Sequence, residues 1–570
     1  MVNVGLPAKP QSCRAAVTTG VPTGATSRSP YPLPVSRTRL HRAAAVGLPA
    51  LVMLALGLWG LDRGGMWRDE AVSYQVGRRT VPQIWRLLHD VDAVHGLYYL
   101  LLHAVLAVHP GEVVLRLPSL CAAAGTAGLV AALGMRLVRP RVGLWAGLLY
   151  AVTPMAGHYA QEGRSYAIVA AGATGATLLF VRAVQGGSWW PYGVVLGLTC
   201  WLHEFAVLLL LAHAVSLALA RSPGRVWRGW GCAAVAVVLA LLPMVVVSRA
   251  QAAQLAWLRA PTTETARRLL SMFLGPTDEV FWVCLGLGVL GLAGLVGRRG
   301  EVTCAGVAFP VVVLPPVALM LASQMSPLYV DRYVLYALSG APLLVACGAE
   351  RAARVARVVG RLRAGSRSRR GAPAALSDGR PHDDGRPRTP PLLPLPYGTL
   401  TGVLALALSL LHQFPLLQKD REPGHRPDDL GAVSRLAARN LPPGASVLFF
   451  PGSMRNAALT YPGAFRGIRD VALVTGAAES GTLYGREAGP VEVRRRLARL
   501  DRVWVVADGK LLAGRGAPRD PVERAKATVL GQQFVSRREA VRGGVTVRLY
   551  VRPLSGLPGP PPPPPRPERW

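Results

Sequence analysis

Lysine is nearly missing from this chain. Of 64 basic residues only Lys9, Lys419, Lys510 and Lys526 are lysine, and acids number just 31. Charged residues make up 17% of the 570 positions against 51% apolar ones, and mean hydropathy is +0.31. A soluble protein of this length forms several domains under a charged surface, and this composition does not supply that surface. The net charge of +33 is carried by arginine in an Ala/Gly/Pro-rich chain, as a GC-rich genome produces. It is not gathered on a folded domain with interleaved aromatics, so nucleic-acid binding is excluded. Cysteine is scarce as well: Cys13, Cys121, Cys200, Cys232, Cys284, Cys304 and Cys347 include no C-x-x-C pair, and six sit in or beside apolar runs. That excludes a disulfide framework and a zinc site and leaves buried thiols acting as small hydrophobes. A Walker A motif, an H-E-x-x-H and a G-x-S-x-G are all absent. ATP-driven transport, zinc proteolysis and serine hydrolysis therefore lose their usual marks.

What is present is a succession of apolar runs at 43–61, 96–108, 114–137, 142–157, 166–183, 190–202, 204–219, 230–248, 280–297, 302–323, 334–347 and 397–414. A hydrocarbon core of about 30 Å asks for about 20 helical residues, so the shorter runs are tilted, broken or partly inserted. Arginine orients them, because cytoplasmic loops carry the basic excess. Residues 1–42 form a Pro/Ser/Thr-rich tail with six basic residues and no acid, read as disordered and cytoplasmic. The turn Arg136 to Arg141, the turn with Arg221, Arg225 and Arg228, the pair Arg298–Arg299 and the loop 351–393 share that side. The loop holds eleven Arg against three Asp and reads as disordered. Between residues 62 and 139 parity allows one crossing although two runs lie there. The short run 96–108, which ends at His109-Pro110-Gly111, is the one left out, giving about eleven spans over 43–415.

From 416 to 555 the apolar runs shorten to Ser446–Phe450, Val471–Val474, Val503–Val506 and Thr546–Val551, separated by helical stretches such as Asp428–Asn440 and Val491–Leu500. This is the pattern of a small α/β domain, expected outside the membrane. Residues 556–570 are a proline-rich tail with six consecutive prolines, Pro560 to Pro565. The fold expected is thus an α-helical polytopic protein of the plasma membrane, N-terminus cytoplasmic, with an extracytoplasmic C-terminal α/β domain.

In such a chain the acids are informative, since an ionised side chain at membrane depth costs several kcal/mol unless it faces a polar cavity. Four acid-bearing motifs fall by parity on the outer face: Trp67-Arg68-Asp69-Glu70, whose loop also holds Asp90, Asp92 and His95; His158 to Tyr166; His203-Glu204; and Tyr329-Val330-Asp331-Arg332-Tyr333. Taken singly each has a plainer account as a helix N-cap, a polar turn or an interfacial Tyr/Arg anchor. Taken together they supply the parts for group transfer. A carboxylate can accept a proton from an attacking hydroxyl. An Arg fork can grip a phosphate bidentately, and apolar helices can hold a lipid tail.

The run Trp67-Arg68-Asp69-Glu70-Ala71, the run from Asp92-Ala93-Val94-His95-Gly96 through Leu97-Tyr98-Tyr99-Leu100-Leu101, and Leu115-Arg116-Leu117-Pro118-Ser119 resemble the opening of the protein O-mannosyltransferase and aminoarabinose-transferase group. These are GT-C glycosyltransferases that use polyprenyl-phosphate sugars. Gln161-Glu162-Gly163-Arg164-Ser165-Tyr166 and Asp331-Arg332-Tyr333 resemble later motifs of the group, and the form Asp-Ala-Val-His-Gly resembles an actinobacterial branch labelled mannosyltransferase. The resemblance covers roughly residues 43–415. It implies an inverting single displacement with Asp69 as general base and Glu70 positioning or tuning it. Arg164 and Arg332 are the candidates for the donor phosphate, and Asp92, His95, Tyr98, Glu162, Tyr166, Glu204 and Tyr333 those for substrate contact. A lipid monophosphate can be neutralised by Arg alone, so no metal or other cofactor is called for, and a divalent ion is left open. The partners implied are a polyprenyl-phosphate sugar, mannose first, a glycan, lipid or protein acceptor, and membrane lipids. The alternatives are a polyprenyl-phosphate-arabinose transferase, or a lipid transporter or scaffold of envelope assembly without enzymatic activity. The C-terminal domain carries no catalytic signature and is expected to bind the acceptor or to be structural.

Overall fold

A computed structural model of the protein describes residues 35–553 apart from 256, 371–396, 423–427, 513–517, 519 and 543. The segments expected as an N-terminal tail, up to residue 34, and as a proline-rich tail lie outside the described residues. The chain opens with α1 (Val35–Leu58), followed by the short α2 (Arg68–Gly77), α3 (Val81–Asp90) and α4 (Gly96–Val108). Then come α5 (Glu112–Leu137), α6 (Pro140–Val152), α7 (Pro154–Ala160), α8 (Tyr166–Val184), α9 (Trp190–Leu202), α10 (Leu209–Leu219) and α11 (Gly224–Ala250). The bundle is completed by α12 (Thr263–Leu274), α13 (Asp278–Gly291), α14 (Cys304–Met325), α15 (Gly340–Arg370) and α16 (Tyr397–Asp420).

Every apolar run read from the sequence forms helix, and the protein is a polytopic membrane protein. The count of spans is where expectation and structure part. Among the described residues six helices are long and apolar enough to cross a membrane, or seven if the pair Thr263–Leu274 and Asp278–Gly294, bent by 84°, is one broken span. A 13-residue helix such as α9 is about 20 Å long, short of the hydrocarbon thickness. The run 142–157 is cut where Pro154 starts a new helix, and 190–202 is cut from 204–219 at His203, whose backbone is extended. Hydropathy registers the break at His203 but not the one at Pro154. The expected disordered loop 351–393 also begins differently, because α15 stays helical to Arg370. Its remainder, 371–393, lies outside the described residues.

Small residues let the helices meet closely. A Cβ on Gly143 of α6 would sit 2.2 Å from the Ala131 carbonyl of α5, so only glycine fits this crossing. The long core of the bundle runs through Met53, Tyr150, Phe180, Tyr192 and Tyr336.

The C-terminal part opens with α17 (Leu430–Asn440), which Asp429 caps by accepting the Ala432 N–H at 2.9 Å. Its main sheet has the order β2-β1-β5-β7-β6, from strands β1 (Ser446–Phe450), β2 (Arg469–Asp470), β5 (Arg502–Asp508), β6 (Val535–Arg542) and β7 (Val545–Val551). Strands β1, β2 and β5 are parallel, with Val447 opposite Trp504, while β7 runs antiparallel to both β5 and β6. Strands β3 (Leu473–Thr475) and β4 (Arg486–Glu487) form a separate ribbon. β6 went unread in the sequence because it is an exposed edge rich in charge, a composition that protects edges from further pairing.

This domain sits on the end of the bundle formed by α2–α4. The Met66 N–H donates to the Tyr461 hydroxyl (2.8 Å), the Met66 carbonyl accepts from the Leu430 N–H (3.1 Å), and Tyr461 also bonds Glu112. Gln75 donates to the Thr460 hydroxyl at 2.8 Å. A Cβ on Gly65 would lie 2.6 Å from the Gly431 nitrogen, so the two backbones touch. Met66, Tyr98, Tyr99, Leu430 and Phe449 belong to one apolar cluster that crosses the junction.

Candidate active site

Two adjacent carboxylates at the start of α2 point to different places. Glu70 reaches back toward the Trp67 N–H (3.4 Å), which accounts for its place in the first turn. Its main partner is Arg116 of α5, which grips it bidentately at 2.9 and 3.0 Å with both side chains wholly buried. Glu70 also accepts the Gly163 N–H at 2.9 Å, and Arg116 donates to the Leu61 carbonyl at 2.8 Å. Glu70 is thus a bolt joining α2, α5 and the 161–165 turn, and it does not line the cavity beside it.

Asp69 does line that cavity, which has a volume of about 230 Å³ and also receives Asp92, His95, Arg164, His203, Glu204, Arg332 and Tyr333. The Asp69 carboxylate meets Arg332 at 3.2 Å. The same guanidinium donates from Nε to the Tyr166 hydroxyl (3.1 Å) and lies 5.6–5.8 Å from the ring centres of Trp67, Tyr166 and Tyr333. Arg332 therefore faces inward within an aromatic collar, not outward as an interfacial anchor. Arg164 is buried and donates to the Ser73 hydroxyl (3.0 Å) and to His95 Nε2 (2.9 Å). An arginine can only donate, so His95 Nε2 carries no proton and the ring is neutral. Burial and then the Arg164 charge hold His95 well below its ordinary pKa.

Asp92 adopts a left-handed backbone (φ 58°) and accepts the Tyr99 hydroxyl at 2.8 Å. Burial raises its pKa, against the opposing pull of Arg164. Glu204 accepts from Ser248 at 2.8 Å, and burial raises its pKa too. Tyr98 is fully buried in the core, away from the cavity, and Tyr166 contacts the site through Arg332. Glu162 is buried beside it with neither carboxylate oxygen partnered among the described residues, and burial lifts its pKa to about 7. The four motifs separated in sequence thus converge, bringing Asp69, Asp92, His95, Arg164, Glu204, Arg332 and Tyr333 to one cavity and leaving Glu70, Tyr98 and Glu162 in its supports. Among the described residues no group of three or more His, Cys, Asp or Glu is placed to hold a metal ion.

Sequence reasoning gave no role to Arg116, Gln251, Leu483 or Tyr484. Gln251, at the end of α11, accepts the Ala93 N–H (3.0 Å) and donates to the Leu88 carbonyl (2.9 Å), which ties the Asp92 loop to the bundle. Leu483 and Tyr484 reach the cavity from the C-terminal domain. Arg116 alone carried a signal, as the charge inside an otherwise apolar run.

The model of a family described as dolichyl-phosphate-mannose-protein mannosyltransferase matches residues 96–248. No curated relative matches the chain by sequence. Among solved structures, ArnT from Cupriavidus metallidurans in the apo state superposes with a TM-score of 0.53 at 14% identity, covering 88% of this chain and 97% of that one. ArnT from the same organism bound to undecaprenyl phosphate gives 0.51 at 14% identity, covering 91% and 99%. The fold is therefore the one seen in these two ArnT structures, and the similarity runs through both the helical bundle and the C-terminal domain.

Proposed function

We propose that the protein is a membrane glycosyltransferase that moves a sugar from a polyprenyl-phosphate donor to a hydroxyl of an acceptor outside the cytoplasm. The observation that carries this reading is the Asp69–Arg332 pair at the cavity wall, with Arg164 behind it. The phosphodiester of the donor, offered to Arg332, competes with Asp69 for one guanidinium. Donor binding then loosens the pair and leaves Asp69 ready to accept a proton. The acceptor hydroxyl gives that proton to Asp69, its oxygen bonds to the anomeric carbon from the face opposite the phosphate, and the carbon–oxygen bond to the phosphate breaks. Polyprenyl phosphate leaves with the bonding pair, held by Arg332 and Arg164, and the anomeric centre inverts. The family description names a mannose donor and the related ArnT structure carries undecaprenyl phosphate, which favours mannose on a polyprenyl carrier. Arg136, Arg298 and Arg299 gather around one depression, distinct from the cavity. That common placement supports a cytoplasmic side there, with the N-terminus, and an extracytoplasmic C-terminal domain.

Asp69→Asn keeps the shape and removes proton acceptance. Transfer from polyprenyl-phosphate mannose by the purified protein is expected to fall roughly 10²–10⁴-fold while donor binding persists. Near-normal turnover in a folded Asp69→Asn protein refutes the assignment.

A further inference from the structure

The cavity that holds Asp69 is lined mostly by the bundle, but Leu483 and Tyr484 reach it from the C-terminal domain. They belong to the segment 479–485, which is fastened from two sides. From the bundle, Arg79 donates to the Thr482 carbonyl at 2.8 Å and Arg86 to the Glu479 carbonyl at 3.1 Å. From within the domain, the buried Arg455 donates to the Tyr484 carbonyl at 2.9 Å while paired with Asp470 (2.6 Å) and Glu487 (2.8 Å). The Gly485 N–H closes the turn on the Thr482 hydroxyl at 3.0 Å. Gly485 has φ 88°, and a Cβ there would lie 2.5 Å from Leu473, so the turn has little room to move. The backbone is pinned at 482 and at 484, and the side chains of Leu483 and Tyr484 line the cavity with Asp69 and Asp92.

A buried ion-pair network that holds the backbone of a tyrosine sharing a cavity with Asp69 is more than the domain needs in order to dock. Docking is also secured away from this turn, at Met66, Gln75 and Tyr461. The Tyr484 hydroxyl makes no hydrogen bond among the described residues, and burial raises its pKa to about 12, so it remains a donor at neutral pH. The same cavity is lined by Gln254 and by Trp257, whose ring is exposed. An aromatic face against ring C–H groups, with amide, carboxylate and phenol groups for hydroxyls, is the chemistry that holds a sugar ring.

Resting on the transferase reading above, we propose that Tyr484 is an acceptor-positioning residue and that the acceptor presents a saccharide hydroxyl between Tyr484 and Trp257. The C-terminal domain is then part of the active site and sets acceptor choice, whereas the donor phosphate is met by the bundle alone.

The test uses the full-length protein in lipid nanodiscs, wild type and with Tyr484→Ala or Tyr484→Phe, the latter keeping the ring and its packing in the turn. Saturation-transfer NMR with a panel of short mannose, arabinose, galactose and glucose oligosaccharides reads acceptor binding without any donor chemistry. Kinetics with polyprenyl-phosphate mannose and the best-bound oligosaccharide follow. Tyr484→Ala is expected to raise the acceptor KM about tenfold or more, and Tyr484→Phe about threefold or more, with the donor KM changed less than about twofold. Saccharide binding that is absent from the wild type, or equal in all three proteins, overturns the proposal. So does an equal rise in both KM values, which would give Tyr484 to the donor. If the variants lose saccharide binding but even the wild type transfers no sugar, the acceptor site stands and the transferase reading falls.

Discussion

Replacing Glu70 by glutamine changes one atom in a side chain that does not line the cavity, yet it is expected to be the most damaging conservative substitution near the site. Glutamine can still accept the Gly163 N–H, but it leaves the Arg116 guanidinium, wholly buried in α5, without a countercharge. Removing one partner of a buried ion pair costs about 3–5 kcal/mol, because the survivor keeps its desolvation penalty. Membrane proteins commonly unfold irreversibly, so the observable is a rate. If the loss falls on the unfolding barrier, inactivation at a fixed temperature accelerates roughly 10²-fold or more. The assay is the half-life of monodisperse protein in detergent, with Asp69→Asn alongside. That neighbour, partly exposed and at the cavity, is expected to lose turnover and keep its half-life. The double variant Glu70→Gln/Arg116→Gln should recover part of the lost half-life, since the stranded charge goes with its partner. A Glu70→Gln protein as durable as wild type but inactive would refute this reasoning and make Glu70 a chemical participant.

Arg332→Lys keeps the charge but cannot reach Asp69 and the Tyr166 hydroxyl together, so kcat/KM for the donor is expected to drop by about 1.5–3 kcal/mol with little change in thermal stability; unchanged donor kinetics would move the phosphate site to Arg164. Glu162 titrates near pH 7 in the fold against an ordinary value of 4.5, so the folded state holds its proton more tightly than the unfolded chain. Its favourable contribution is complete below about pH 4.5 and is lost as pH rises through 7. Glu162→Gln has no such loss, and its stability relative to wild type should increase by up to about 3 kcal/mol between pH 5 and 8, read as melting temperatures of both proteins; a gap that does not change with pH refutes it.

The motifs that could be read in the sequence are those whose cost is local. A carboxylate or guanidinium inside an apolar chain stands out because water is the cheaper place for it, and this is how Asp69, Arg164 and Arg332 were found. What was hidden depends on partners. Nothing in Asp69-Glu70 says which carboxylate faces a cavity and which meets Arg116, since helical rotation from one residue to the next sends them to different neighbours. Tyr484 was invisible for another reason: a tyrosine in a polar turn is unremarkable until the sheet order and the Arg79 and Arg455 bonds carry it to Asp69. The break inside the run 142–157 at Pro154 was hidden too, because an average over apolar residues registers composition and not direction.

The clasp of residues 479–485 over Asp69 has a consequence for biosynthesis. A ribosome adds about 5–20 residues per second, so roughly 20–80 s separate the appearance of the acid from that of the tyrosine that covers it. During that interval the first membrane helices can insert and the Glu70–Arg116 bolt can close, but the pocket still lacks one side. A message cut short, or a protease that removes the tail end of the polypeptide, would leave an inserted bundle whose cavity lacks Leu483 and Tyr484. The lining is complete only in nearly finished chains.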